Sequence, residues 1–458
     1  MENTLIDSIK DIDKETPCLG IFEKVEDAIE SAVKAQKKLI SSYKKKDREK
    51  FIEKIKSVTL ANKEVLAKLV FEETKMGNYE DKILKHELLA KYTPGTEDLT
   101  TTAWEGDDGL TIVEMSPYGV IGAITPSTNP TETVICNSIG MIAAGNSVVF
   151  NAHPNAKKCV AFAVHMINKV ILSCGGPENL VTMVKDPTME SLDIIMKDPN
   201  VKLLCGTGGP GLVKAILNSG KKAVCAGAGN PPVIVDDTAD IENAAKNIIE
   251  GCAFDNNLPC IAEKEVFVFR NVADELIKDM IKNNAMIIGE DCVEKLINLV
   301  LEKKDTDSKI EYAINKKWVG KDARLLLSEI GIDSAKDIKC IICEVDANHP
   351  FVMTELMMPI LPIVRVKNID EAIECAKKAE QGRKHSAYMY SKDIENLNRF
   401  EKEIDTTIFV ENSKSFAGVG LGGEGFTTFT IAGPTGEGIT SARTFTRQRR
   451  CVVVNRDK

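Results

Sequence analysis

The feature that most constrains this chain is an alternation of short apolar runs with helical patterns, beginning with "GLTIVEMSPYGVIGAITPS" and its break at Pro126. Next come "ETVICNSIGMIAAG" as a mostly apolar helix, "NSVVFNAHP" as a buried strand and residues 156–173 as a helix. Then follow "NLVTMV" as a strand, residues 190–197 as a helix and "VKLLCGTGG" as a strand. Strands separated by helices pair in parallel, because a parallel partner needs a long crossover, so the pattern predicts α/β layers. The Gly/Pro-dense "GAGNPPVIVDD" at 227–237 marks an expected domain boundary. A second series follows it: the helix "IENAAKNIIEGCAF", the strand "EVFVFR" and a helix running to about residue 287. It continues with the strands "KCIICEV" and "LPIVRVKN", the helix "IDEAIECAKKAEQ", and the strands "SAYMYSKD" and "TTIFVEN". Residues 417–438 read as a glycine-rich loop, and the tail "SARTFTRQRRCVVVN" reads as a lone strand. Upstream, residues 22 to about 92 place apolar residues at helical spacing with charges opposite.

A chain of 458 residues can hold two or three domains with large cores. A net charge of -9 with no basic stripe opposes nucleic-acid binding. No apolar run approaches the roughly 20 residues that a membrane helix needs. The start "MENTLIDSIKDIDKE" is acidic and lacks a signal-peptide core, so a cytoplasmic location is expected. Thirteen cysteines, odd in number and scattered through apolar segments, read as buried thiols of a reducing compartment. Cys340 and Cys343 have C-x-x-C spacing but sit in a strand-like run with no second ligand pair, and the five histidines share no ligand spacing, so no metal is expected.

Two stretches carry chemistry. "CGTGGPGLVKAIL" holds G-x-G-x-x-G at Gly206, Gly208 and Gly211, after a strand and opening a helix. That context lets backbone approach a pyrophosphate at a helix N-terminus. Asp236 and Asp237 fall near the distance expected of a ribose-binding acid, but a further glycine turn and two prolines intervene, which counts against Asp236. "DNNLPCIAEK" places Cys260 between a proline and an isoleucine; taken alone, it could be nucleophile, ligand or inert thiol.

Four segments in this order resemble the aldehyde dehydrogenase family: "GVIGAITPSTNPT", the glycine loop, "DNNLPCIAEK" and "ELMMPILPIV". The wording of "STNPTETVICNSIGMIAAGNSVVF" and "GAGNPPVIVDDTADI" is similar to the CoA-acylating branch, which includes acetaldehyde, propanal and butanal dehydrogenases, and most similar to clostridial-type butanal dehydrogenases. The resemblance implies two Rossmann-type α/β domains with a small β-flap for oligomerisation. The NAD(P)-binding domain would comprise 1–98 and 117–228, the catalytic domain 229–438 and the flap 99–116 and 439–458. It implies Cys260 as nucleophile, Asn129 as side-chain oxyanion donor and Glu355 as the carboxylate on the nicotinamide ribose. Around the cofactor it implies Thr125, Pro126, Ser127, Asn151, His153, Pro154, Gly206, Thr207, Gly208, Gly211 and Gly227. Asn151 stands where many relatives have a ribose-binding lysine and Pro154 where a glutamate would be, so NAD is expected with NADP left open.

Hydrolytic members carry a water-activating glutamate in an "ELGG"-like turn; here the turn is "AGAG", with Ala226 at that position. A thiolate attacks an aldehyde, the oxyanion needs donors such as the Asn129 amide and the Cys260 N–H, and hydride leaves a thioester on Cys260. Without the glutamate, the thiol of coenzyme A is the expected acceptor. A hydrolytic dehydrogenase, a reductase of acyl phosphates and a non-catalytic shell or scaffold protein are the competing readings. No residue is assigned to lower the Cys260 pKa: no histidine is adjacent, Lys264 four residues on is not assigned to the thiol, and His385 reads as structural with a secondary role to be tested. The expected partners are a short-chain aldehyde, CoA or acyl-CoA, and further copies of the chain in a homodimer or homotetramer. A place in a microcompartment shell is the less favoured alternative.

Overall fold

The computed structural model describes residues 19–306, 309–334 and 336–455; the stretch "MENTLIDSIKDIDKE" lies outside them. The chain divides into two compact units. Of the described residues, the first holds those within 19–74, 83–227 and 426–455, the second those within 75–82 and 228–425.

In the first unit the helical periodicity produces the helices Val25–Ser42, Lys45–Ala61 and Lys63–Thr74. The first of these buries Val25, Ala28, Ile29, Ala32, Ala35 and Leu39 on one face, the spacing a 3.6-residue repeat dictates. It packs on a six-stranded sheet in the order Ile21–Phe22, Val181–Val184, Ser147–Asn151, Val120–Ile124, Val201–Thr207, Lys222–Ala226. Every pairing is parallel. Helix Pro130–Ala143 is buried at each of its residues, including the polar Thr131, Glu132, Thr133, Asn137 and Ser138. With helix Lys157–Ser173 it forms the core on one sheet face; Val25–Ser42, Met189–Lys197 and Pro210–Leu217 cover the other.

The tail is not a lone strand. Thr446–Val454 pairs antiparallel with Gly109–Pro117 along its whole length, and Gly109–Pro117 pairs in turn with Thr102–Gly106. This small sheet leaves Trp104, Val452, Val453 and Val454 more than half exposed.

The second unit is built on seven parallel strands in the order Ala285–Ile287, Cys340–Glu344, Ile360–Val366, Glu265–Phe269, Pro232–Val235, Ser386–Tyr390, Ile408–Glu411. Pro232–Val235, from the Gly/Pro seam, is an inner strand with its proline at the first position, where a missing ladder donor is tolerated. The helix expected to reach residue 287 ends at Lys282. Asn284 turns left-handed with φ 68°, and Ala285–Ile287 becomes an edge strand. Leu301–Thr306 and Lys309–Ile314 form a hairpin that the apolar pattern did not announce. The glycine-rich segment is not loop throughout: Ser415–Val419 is a 3-10 turn and Ile431–Ala432 pairs with Gly438–Ile439. Residues 426–438, expected with the Cys260 part of the chain, lie in the first unit, where that hairpin packs on Lys222–Ala226. Cys340 and Cys343, an odd number of residues apart on one strand, point to opposite faces and so do not face a common ion. Among the described residues no helix is long and apolar enough to cross a membrane.

Candidate active site

Apart from Glu355, which lies in the second unit, the predicted cofactor residues gather at one edge of the first sheet. Ile124 stands level with Asn151 on one side and Gly206 on the other, and Thr207 stands level with Ala226. Thr125 to Ser127, Asn151 to Pro154, Gly206 to Gly211 and Gly227 therefore leave the C-terminal ends of four neighbouring strands. The strand order reverses between Val120–Ile124 and Val201–Thr207, the place where doubly wound sheets bind nucleotides. There the buried hydroxyls of Thr125 and Thr207 have no hydrogen-bond partner among the described residues. An unpaired buried hydroxyl costs about 1–3 kcal/mol, so these two fit a polar group of a bound nucleotide. Helix Pro210–Leu217 starts at Gly209 with no side-chain cap; Pro210 has no N–H and the Leu212 N–H donates to the Gly209 carbonyl at 3.0 Å, so the Gly211 N–H is the one left for an anion.

The glycines divide by role. A Cβ on Gly206 would lie 2.1 Å from Ile216 Cδ1, so this glycine lets the helix close on the strand. A Cβ on Gly211 would meet nothing within 4 Å, so open space stands beside it. Gly208 donates its N–H to the Ala226 carbonyl at 3.1 Å, tying the loop to the "AGAG" turn. Gly227 is half-buried, and a Cβ there would lie 3.1 Å from Pro434. Other predicted residues are occupied internally. Asn151 Oδ1 accepts from Ser191 Oγ at 2.7 Å, and exposed His153 accepts from the Asn155 N–H, opening the turn Pro154–Ala156. Asp236, in the second unit, is fully buried and accepts from Thr238, Ser391 and Asn396, so it is a structural aspartate and not a ribose ligand.

Asn129 ends the turn after Val120–Ile124 and occupies the cap position of helix Pro130–Ala143, yet its side chain makes no capping bond. Its Oδ1 instead accepts from Lys85 Nζ at 2.7 Å, and Lys85 also pairs with Glu132 at 2.9 Å, both side chains fully buried. An ammonium on the oxygen fixes which way the amide faces: Nδ2 is the donor end, and it gives one long hydrogen bond, 3.4 Å, to Thr128 Oγ1. Asn129 is thus held as an oriented amide and not as a helix cap. Lys85 and Glu132 escaped the sequence reading. The available signal was that Lys82, Lys85, His86 and Leu89, all buried, repeat at the spacing of an inward helix face in Tyr79–Tyr92.

Cys260 follows a left-handed turn. After helix Ile241–Ala253, residues Asp255, Asn256 and Asn257 have φ of 47°, 53° and 64°. Asx residues are the non-glycines that best accept this region, and each here is tied down. Asp255 pairs with Lys82 at 3.0 Å and accepts the Asn78 N–H, and Asn256 Nδ2 donates to the carbonyls of Gly77 and Gly320. Asn257 Nδ2 donates to the carbonyls of Cys252 and Glu263. The Cys260 thiol is half-buried; desolvation and the Glu355 carboxylate push it up to about 12, with Lys264 opposing.

Gly229 gathers the rest. A Cβ there would lie 2.7 Å from the Cys260 carbonyl oxygen and 2.9 Å from His385 Cγ, and its N–H donates to Glu355 Oε1 at 3.3 Å. Glu355 also stands 3.9 Å from the Arg383 guanidinium. His385 is buried, shares a hydrogen with Ser386 Oγ through Nδ1, and keeps Nε2 without a partner among the described residues. Burial, Lys264 and Arg383 push it down to about 4, so the ring is neutral at neutral pH. His385 thus belongs to the site rather than to the core alone. Ala226 is buried at the end of Lys222–Ala226, in a turn with no carboxylate.

A model of the aldehyde dehydrogenase family matches residues 19–430. The propanal dehydrogenase (CoA-propanoylating) of Salmonella typhimurium is 46% identical over 440 residues, 95% of this chain and 92% of that one. A propionaldehyde dehydrogenase from the Clostridium phytofermentans fucose utilisation bacterial microcompartment is 53% identical, covering 95% of this chain and 98% of that one with a TM-score of 0.92. A Rhodopseudomonas palustris propionaldehyde dehydrogenase, solved with bound CoA and an acylated cysteine, is 51% identical over 95% of this chain and 98% of that one, with a TM-score of 0.91. The chain belongs to the aldehyde dehydrogenase family, in its CoA-acylating branch.

Proposed function

We propose that this chain reversibly converts a short-chain aldehyde (acetaldehyde, propanal or butanal) and CoA into acyl-CoA, with Cys260 as the acyl carrier. The observation that carries the reading is the buried Ala226 where hydrolytic members hold their glutamate: no carboxylate in that turn can activate water against a thioester. Cys260 Sγ attacks the aldehyde carbon, giving a thiohemiacetal. The Cys260 N–H is one donor to the oxyanion, and Asn129, oriented by Lys85, holds the side-chain donor role that the family resemblance gives it; one such donor is worth about 2.7–4 kcal/mol in the transition state. Thr125 and Thr207 at the strand edge of the first unit would hold NAD, which would supply the hydride acceptor, and Glu355 keeps the ribose-carboxylate role that the family resemblance gives it. The resulting thioester on Cys260 passes to the CoA thiol, an exchange between two thioesters that runs in either direction. His385 Nε2, neutral and unpartnered, is able to accept the proton that the incoming thiol releases.

In this reading the first unit binds the nucleotide, the second carries the nucleophile, and the exposed apolar residues of the three-stranded flap cover those of another copy in a homodimer or homotetramer. The enzyme works in the cytoplasm as that homo-oligomer. With aldehyde and NAD but no CoA, NADH should appear as a burst of about one equivalent per site and then nearly stop. CoA should restore steady turnover, phosphate should not, and acyl-CoA with NADH should yield aldehyde. Free acid made at full rate without CoA would sink the proposal.

A further inference from the structure

Lys264 is a buried cation whose head turns back on the segment before the nucleophile. Its side chain is 3% exposed. Nζ lies 3.0 Å from the Asn257 carbonyl, 2.5 Å from Asn257 Oδ1 and 3.3 Å from the Pro259 carbonyl. All three are acceptors, and an ammonium has three donors, so only the protonated amine satisfies the set. The backbone of Lys264 is fixed as well. Its N–H donates to the Pro231 carbonyl at 3.2 Å, and the inner strand Glu265–Phe269 begins at the next residue. The residue therefore ties the left-handed turn to the sheet. Sequestering an ammonium costs several kcal/mol, a cost a neutral side chain of similar length would avoid, so the charge calls for a role.

We propose that Lys264 is the positioning residue of the nucleophile: its ammonium holds the Asn257–Pro259 turn that presents Cys260 and supplies the fixed positive charge against which the Cys260 thiolate forms. The inference rests on the reading of Cys260 as the acyl carrier. The donors of Nζ are spent on carbonyls, so the effect on sulfur is through the field and the turn, not through a direct hydrogen bond. The titratable groups facing this charge are the Glu355, Glu265 and Glu263 carboxylates, the Cys252 and Cys260 thiols and the His385 ring. At the sulfur itself Glu355 and Lys264 pull in opposite directions, and Tyr388 is the further titratable neighbour.

The test is alkylation of Cys260 by iodoacetamide in the intact protein, followed by peptide mass spectrometry from neutral to alkaline pH. Lys264→Met should move the alkylation midpoint up by about one pH unit or more, slowing the reaction about tenfold at fixed pH below it. An unchanged midpoint and rate in that variant would overturn the proposal. Should Lys264→Met not fold, Lys264→Arg decides. The planar guanidinium keeps the charge but cannot aim three donors at the same three oxygens, so the midpoint should hold while aldehyde oxidation falls about tenfold or more. Wild-type turnover in Lys264→Arg would remove the positioning role. Failure of the underlying reading is seen separately, as turnover surviving in Cys260→Ala whatever the alkylation midpoints show.

Discussion

The glycine loop of the first unit and the cysteine loop of the second solve opposite problems. From Gly208 to Gly211 the first has exposed residues at Gly209, Pro210 and Gly211, an uncapped helix start and the unpartnered hydroxyl of Thr207 beside it. From Asp255 to Lys264 the second spends its polar side chains on carbonyls, amides or opposite charges, and it holds three consecutive residues in the left-handed region. A loop that receives a ligand is left under-satisfied, so that the ligand completes it. A loop that presents a nucleophile is over-determined, because backbone strain persists only where the surroundings enforce it.

The contrast can be broken most completely at Cys260. Cys260→Ala should abolish turnover and leave no thioester to trap by mass spectrometry after incubation with acyl-CoA. Next in size is the brace. Asp255→Ala removes the carboxylate from a fully buried ion pair and asks alanine to hold φ 47°, so chemical denaturation should show a loss of about 3–5 kcal/mol. In the glycine loop the penalties should be smaller and uneven. Gly206→Ala drives a methyl into Ile216 and should cost about 1–3 kcal/mol by the same measurement. Glu355→Gln sharpens the cysteine side through pH. The Glu355 carboxylate raises the thiol, so neutralising it should lower the Cys260 alkylation midpoint and speed alkylation at a fixed pH below it; an unmoved or higher midpoint would contradict the assignment. The smallest effect is expected at Gly211→Ala, which enters open space in the first turn of a helix and should leave stability within about 1 kcal/mol of the parent, while weakening NAD binding in a titration.

Much of the fold was legible because its signals are local. The period of apolar residues marked the N-terminal helices and the alternation of strand and helix in both units, and the glycine motif stood at the strand end where the structure places it. What failed was also local reading, applied where distant partners decide. The helix that stops at Lys282 does so at an Asn-Asn pair, and the tail strand finds its partner more than 300 residues upstream, at Gly109–Pro117.

By itself, then, the sequence determined the α/β class, the parallel sheets, the identity of the nucleophile motif and the absence of a carboxylate in the "AGAG" turn, since these depend on residue type and short-range order. Only the tertiary structure decided which charges are buried. Lys85 reads as a solvated helix residue until Asn129 and Glu132 are brought to it, and Lys82 until Asp255, 173 residues away, is folded against it. A lysine is stable in the interior only where acceptors converge on its ammonium, and convergence is a property of three dimensions that no run of letters carries.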